Sequence, residues 1–315
     1  MRGMMINTMV RRAPLHGLFA AWSCALILCL AFAPEAKAAD IQVRDNVEYA
    51  VHDGVSLVGT LYSPAGGDRS AAIVAVHGGG WQVGDRSVYK YWGPYLAERG
   101  YTVFAIEYRL GKNTYPGSVQ DVLSAIQYIR GNADALKVDP ERIALIGDSS
   151  GGHLAALAAL AGQEDHFRSA YPSDVNGSVN TAVKAVVTVY GVFDMAAQWT
   201  HDQLARPLDQ ISQNYLGVSP MENRKIYFES SPISYAEQSR RGPAFLVVYG
   251  TQDDVVDPAT QSVVFIQALK QARISTQPLI VEGAPHLWIW DPIDEPESFT
   301  HFLAPRLLWF LKARL

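Results

Sequence analysis

The chain has 315 residues, 49% hydrophobic and 18% charged, with a formal net charge of −5. An acidic balance of this kind argues against nucleic acid or an anionic membrane surface as a partner. The length fits one large α/β domain or two small ones.

The first element in chain order is a leader. Residues 1–38 begin MRGMMINTMVRR, placing Arg2, Arg11 and Arg12 in a positive n-region. Residues 18–32 are almost wholly apolar, and Ala36-Lys37-Ala38 forms an A-x-A site. This pattern predicts a cleaved secretory signal peptide and export to the periplasm or medium. The apolar run, about 15 residues, falls short of the roughly 20 a spanning helix needs, so no stable membrane insertion is expected after cleavage. Both cysteines, Cys24 and Cys29, lie in the leader, so a mature chain from Ala39 depends on its core and not on disulfides. The leader carries four basic residues and one acidic one, so without it the net charge of −5 becomes −8.

Next come short apolar runs. VSLVGTLYSP, residues 55–64, alternates as a half-exposed edge strand does. AAIVAVHG (71–78), YTVFAIEYR (101–109), RIALIG (142–147), VKAVVTVYG (183–191), AFLVVYG (244–250) and TQPLIVEG (276–283) are more continuous, as in a parallel sheet covered on both faces. Helical patterns lie between and after them: SVQDVLSAIQYIRGNA, GGHLAALAALAG, TQSVVFIQALKQA and SFTHFLAPRLLWFLKARL. Asp257-Pro258 gives the third a start signal, with Pro at the first helical position. Strands alternating with helices predict βαβ units and a mostly parallel, doubly wound sheet with helices on both faces. Residues 163–181 are polar and read as a loop. Residues 193–242 are an insertion with Trp199, Tyr215, Tyr227 and Phe228, equally a small lid or pocket wall, or a surface excursion packing its own aromatics. Without a Pro/Ser linker, residues 39–315 are expected to form a single domain.

Chemistry concentrates at Gly147-Asp148-Ser149-Ser150-Gly151. G-D-S also occurs in serine proteases built on β-barrels, but here a buried strand precedes the motif and a helix follows it. That is the context of a nucleophile elbow, whose strand-to-helix turn lifts the serine oxygen clear of the sheet. Ser149 is therefore the expected nucleophile. A serine hydroxyl needs a general base, and the order Ser, acid, His leaves His153, His166, His201, His286 and His301. Only His286, in VEGAPHLW, follows a strand on a loop at the sheet's carboxyl end, where sites form in such sheets. It is the expected base. The acid follows the preceding strand in GTQDDVVDP. Asp253 is preferred, Asp254 is the alternative, and Asp257 reads as a helix cap. His77-Gly78-Gly79-Gly80-Trp81 follows another buried strand, so the N–H of Gly78 or Gly79, with that of Ser150, is expected to bind an oxyanion. His77 reads as a residue stabilising that turn. Trp81, Trp288 and Trp290 flank these residues and offer aromatic faces for an aryl acyl group or a sugar, or else belong to the core. Arg109 and Asp121 are expected to form an ion pair behind the turn.

HGGGW, EYRL, YPGSVQD, VDPERIALIGDSSGGHLAAL, YLG…SSPISY, GTQDDVV and APH together resemble an α/β-hydrolase serine esterase, in the bacterial feruloyl/acetyl-esterase-like branch near the hormone-sensitive-lipase family. The resemblance covers most of residues 45–315. It implies the α/β-hydrolase fold, no cofactor or metal, and hydrolysis of short acyl or aryl esters, including acetyl or feruloyl esters of plant polysaccharides. The partner is then a small-molecule or carbohydrate ester. Two departures stand out: Gly111-Lys112-Asn113 follows YRL where hormone-sensitive-lipase relatives read YRLAPE, and the residues before His77 read as strands and turns, not as a long helical cap. The latter implies an open site and argues against long-chain lipids. Arylformamidase-like amidases and peptidases share this fold and triad. A binding protein of the adhesion type tends to lose the serine, the histidine or the glycine turn, and all three are present here.

Overall fold

Each of the apolar runs forms a strand, and those from 71–78 to 244–250 pack against neighbours on both faces; 276–283, expected to be covered likewise, is instead the sheet's edge, where Val281 alone of Thr276–Val281 is buried. The computed structural model describes residues 40–168, 170–236 and 242–315. The signal-peptide reading, with Cys24, Cys29 and the A-x-A site, lies outside the described residues. The strands are β1 (Ile41–His52), β2 (Val55–Pro64), β3 (Ser70–Val76), β4 (Tyr101–Ile106), β5 (Val138–Asp148), β6 (Ala185–Val189), β7 (Ala244–Gly250) and β8 (Thr276–Val281). They form one sheet in the order β1-β2-β4-β3-β5-β6-β7-β8. β1 pairs with β2, and β2 with β4, antiparallel. From β4 onward every pair is parallel.

The helices are α1 (Trp92–Ala97), α2 (Gly117–Gly131), α3 (Ala133–Leu136), α4 (Ser150–Ala161), α5 (Asp165–Arg168), α6 (Met195–Ala205), α7 (Ile211–Leu216), α8 (Arg224–Glu229), α9 (Ser262–Gln271) and α10 (Phe299–Arg314). Alternation along the strands divides the core in two. Ala72, Val74 and Val76 of β3 face α2, α4 and α9, whereas Ala71, Ile73 and Ala75 face α1 and α10. This is the doubly wound architecture expected of an α/β-hydrolase.

Two more expectations change. Residues 55–64 are not an edge: β1 covers them in a hairpin closed by Asp53-Gly54, and Leu57 and Gly59–Tyr62 are buried. The alternation arises because one face is covered less fully than the other, not because an edge is exposed. The third predicted helix begins at Ser262, not Pro258. Asp257 accepts from the Ala259 N–H and the Thr260 hydroxyl and caps a turn ahead of the helix.

The expected Arg109–Asp121 pair is present and larger than foreseen. Asp121, fully buried, takes the Arg109 guanidinium at 2.7–3.1 Å and the Arg109 N–H at 2.8 Å. His52 also bonds it through Nδ1 at 2.8 Å, reaches Asp174 through Nε2 at 2.9 Å, and stacks on Tyr171 at 3.6 Å. Removing the carboxylate takes the partner from the partly buried Arg109 guanidinium and from the buried His52 ring. Asp121→Ala is therefore expected to cost about 3–5 kcal/mol, read as a lowered urea midpoint. An unchanged midpoint would remove the pair as a structural element.

His52 adds a pH dependence. Burial lowers its pKa, but hydrogen bonds to Asp121 and then Asp174 outweigh that and leave it raised above 6.5. The stability it contributes is complete below the unfolded value and is lost as pH rises through the folded one. Urea unfolding from pH 6 to pH 9 should show a larger loss in the wild type than in His52→Gln. Parallel curves would count against the imidazolium bridge.

Candidate active site

The site grows from the end of β5. Six consecutive buried residues, Ile143–Asp148, carry the chain into the sheet's carboxyl edge, and α4 begins immediately after Ser149. A Cβ on Gly147 would meet the Gly151 carbonyl at 2.2 Å, and one on Gly151 the Val76 carbonyl at 2.0 Å. Only glycines let strand, turn and helix close this tightly. Ser149 sits between them at φ 51° and ψ −122°, a conformation that costs an L-residue strain. The Ser149 N–H donates to the Val189 carbonyl at 2.9 Å, which ties the turn to the neighbouring strand.

Two later loops converge on this serine. His286 Nε2 lies 2.9 Å from Ser149 Oγ, and His286 Nδ1 lies 2.7 Å from Asp253 Oδ2. Asp253 Oδ1 accepts from the N–H groups of Val255 and Val256 at 3.0 and 2.8 Å, which fixes the carboxylate in the loop after β7. Both side chains are almost fully buried, and the Tyr190 ring packs 4.5 Å from the imidazole. Asp254 is exposed and meets the network only through its backbone carbonyl, bonded by His201. The remaining histidines after the serine are engaged elsewhere. His166 packs on Phe167 and His301 bonds the Ile293 carbonyl. His153, whose pKa burial lowers to about 4, accepts from the Trp81 indole and donates to the Ser230 carbonyl.

The glycine turn lies beside the serine. A Cβ on Gly78 would sit 3.1 Å from Ser149 Cβ and 2.5 Å from Asp148 Oδ2. Gly79 has φ +120°, and a Cβ there would strike the Val83 carbonyl at 1.9 Å, because the turn closed by the Val83 N–H on the Gly79 carbonyl brings the two backbones together. His77 holds the turn by donating from Nδ1 to the Gly78 carbonyl at 2.6 Å, and stacks on Tyr108. Gly78 departs from expectation as an anion donor: its N–H already donates to Asp148 Oδ1 at 3.1 Å. The N–H groups of Gly79, Gly80 and Ser150 have no partner among the described residues. Gly80 was not singled out in the sequence, although it is the third glycine of the same turn. Ser150 is the first residue of α4, where the helix dipole favours negative charge. The arrangement therefore offers a hydroxyl beside an imidazole, a carboxylate fixing that imidazole, and free N–H groups for a developing oxyanion.

The tryptophans need correction. Trp81 is completely buried, stacked on Tyr215 at 4.6 Å with its indole bonded to His153. Trp288 is buried between Tyr190 and Phe299. Both are core residues, because the chain turns their rings away from solvent as it leaves the site. Of these three, Trp290 alone is exposed, at 39%. Its indole N–H points at Asp148 Oδ2 at 3.4 Å. The insertion folds as α6, α7 and α8. It walls the glycine turn through Ile211, whose side chain lies 3.4 Å from a Cβ on Gly80. It also encloses a cavity of about 400 Å³ lined by Trp199, Met221, Tyr227, Phe228 and Ile233 among others, and not by Ser149. Both readings of this segment hold, in different parts of it.

Residues 60–269 match the family model BD-FAE. The chain is 32% identical over 217 residues to the esterase LipC of Mycobacterium tuberculosis, covering 68% of this chain and 52% of that one. It is 27% identical over 263 residues to the ethyl acetate hydrolase of Pseudomonas putida, covering 79% of this chain and 77% of that one. The butyrate-bound structure of esterase Est2 from Thermogutta terrifontis superposes with a TM-score of 0.68 at 26% identity, over 89% of this chain and 96% of that one. The chain spans about half the length of the mycobacterial relatives it matches.

Proposed function

The chain belongs to the BD-FAE family and has the α/β-hydrolase fold, and from that premise we propose that it is a serine carboxylic-ester hydrolase. The carrying observation is the unbroken hydrogen-bonded line Ser149 Oγ, His286 Nε2, His286 Nδ1, Asp253 Oδ2, at 2.9 and 2.7 Å. Ser149 attacks the ester carbonyl carbon while its proton passes to His286 Nε2. Asp253 accepts from Nδ1–H, holds that tautomer and stabilises the imidazolium. The carbonyl oxygen, now an anion, is received by the N–H groups of Gly79, Gly80 and Ser150. His286 returns the proton to the leaving alcohol oxygen, which breaks the ester bond and leaves an acyl-serine. Water, deprotonated by His286, resolves it to the carboxylate.

The substrates are short acyl or aryl esters, with acetyl or feruloyl esters of plant polysaccharides as the natural class. Support for the short acyl comes from the named activity of the Pseudomonas relative and the butyrate held by Est2. The leader pattern supports action outside the cytoplasm. The test is treatment of the protein with a fluorophosphonate, followed by peptide mass mapping and assay on p-nitrophenyl acetate. One adduct on Ser149 with loss of activity is expected. An active enzyme left unlabelled at Ser149 would contradict the reading. An unlabelled protein without activity would return it to the binding-protein class.

A further inference from the structure

The acyl-transfer reading leaves one buried ionisable group beside the serine without a part. Asp148, the second residue of Gly147-Asp148-Ser149-Ser150-Gly151, is completely buried. Donors from three separate segments converge on its carboxyl group. The Gly78 N–H and the Tyr89 hydroxyl each reach Oδ1 at 3.1 Å, and the Trp290 indole N–H reaches Oδ2 at 3.4 Å. Gly78 opens the glycine turn, Tyr89 ends the 3₁₀ turn that follows it, and Trp290 lies four residues beyond His286. The Tyr89 hydroxyl also lies 3.2 Å from the Val76 carbonyl at the end of β3. Burial raises the Asp148 pKa, against the pull of His77, the Tyr89 and Trp290 bonds and His286. A carboxyl group is costly in such a place unless its hydrogen bonds are met.

We propose that Asp148 is a positioning residue: its buried carboxylate clasps the glycine turn and the histidine loop to the nucleophile elbow. The proposal rests on the serine-hydrolase reading above. By taking the Gly78 N–H, the carboxylate fixes the 77–78 peptide. His77 Nδ1, donating to the Gly78 carbonyl at 2.6 Å, fixes the 78–79 peptide, and the Gly79 carbonyl, held by the N–H groups of Gln82 and Val83 at 3.1 Å, fixes the 79–80 peptide. The free N–H groups of Gly79 and Gly80 are thereby set relative to Ser149. Trp290 does the same for the segment carrying His286. The carboxylate also favours the imidazolium that His286 becomes. The other groups facing His286 are Asp253, Ser149 and the Tyr190 ring, and those facing Asp148 are Tyr89, Trp290 and, by charge, His77.

The test compares wild type, Asp148→Asn, Trp290→Phe and Ser149→Ala on p-nitrophenyl acetate, with melting curves and kcat/KM against pH. Asparagine keeps the shape but turns one acceptor into a donor facing a donor. Asp148→Asn is expected to lower kcat by about 10–100-fold, as loss of oxyanion geometry does. KM should stay within about threefold, and the acid limb of the pH profile should move to lower pH because the neutral amide no longer favours the imidazolium. Trp290→Phe removes one donor and should lower kcat by about 3–10-fold. A folded Asp148→Asn with kcat within about twofold of wild type, a loss carried by KM alone, or an unmoved acid limb overturns the proposal. If Asp148→Asn does not fold, Trp290→Phe decides, and kcat within about twofold of wild type overturns it. A fully active Ser149→Ala defeats the serine reading itself. An inactive Ser149→Ala beside an unaffected Asp148→Asn defeats only the clasp.

Discussion

Ser149→Ala is expected to lower kcat for p-nitrophenyl acetate by roughly 10⁶-fold, because nucleophile and base act as a unit. The effect should be specific to chemistry. Alanine removes one oxygen atom, which lies 2.9 Å from His286 Nε2, and leaves the Ser149 N–H bond to Val189 in place. Both residues bear the same positive-φ strain, so the melting temperature should hold. His286→Ala is expected to cost about as much, and the double variant little more than either, since losing one member already disables the proton transfer. The residual rate, roughly 10³-fold over water, would come from binding and the free N–H groups at Gly79, Gly80 and Ser150. Steady-state rates on purified, folded variants check this. An unaltered rate in Ser149→Ala would mean that another group attacks the ester.

Asp253→Asn is expected to lower kcat by about 10⁴-fold, whereas Asp254→Asn should leave it within about threefold. The geometry gives the reason. Asp253 Oδ1 faces two N–H donors, from Val255 and Val256, and Oδ2 faces the third, His286 Nδ1–H. An asparagine has only one acceptor oxygen, so in either orientation its NH₂ meets a donor. The cheapest escape is to move the imidazole proton to Nε2. Nε2 can then no longer accept the Ser149 proton, and the base is lost with its position intact. Asp254 turns its side chain to solvent and makes no such demand. Kinetics of the two variants between pH 6 and 9 separate the roles. Equal losses in both would mean that the loop as a whole, not one carboxylate, supports the histidine.

How much of this is legible in the sequence follows from how local each feature is. The elbow is local. Gly147, Ser149 and Gly151 lie between a buried strand and a helix, and the steric demand of that crossing is met by glycines within five residues. The parallel sheet between two helix layers is nearly as legible, since apolar runs without alternation require cover on both faces, whereas the order of its strands is not. The role of residues 55–64 is not. A run that alternates at an edge and a run covered by a hairpin partner look alike until β1 is placed beside it. The tryptophans mislead for a related reason. Nearness in sequence to Gly80 or His286 says nothing about which way a ring turns, and two of the three turn into the core.

By itself, the sequence determined the order serine, acid, histidine, the glycine turn after β3, and the α/β architecture that brings strand ends to one edge. These depend on residue type and on spacing within one or two elements. Only the tertiary structure decided that Asp253 and not Asp254 faces His286, that the Gly78 N–H is spent on Asp148, and that Trp290 alone of the three tryptophans flanking the site motifs stays in contact with solvent. Each of those choices is made by a hydrogen bond or a packed ring across 33 to 142 residues of chain. A donor's direction in space is fixed by the folded backbone on both sides of such a contact, and no periodicity or motif encodes it.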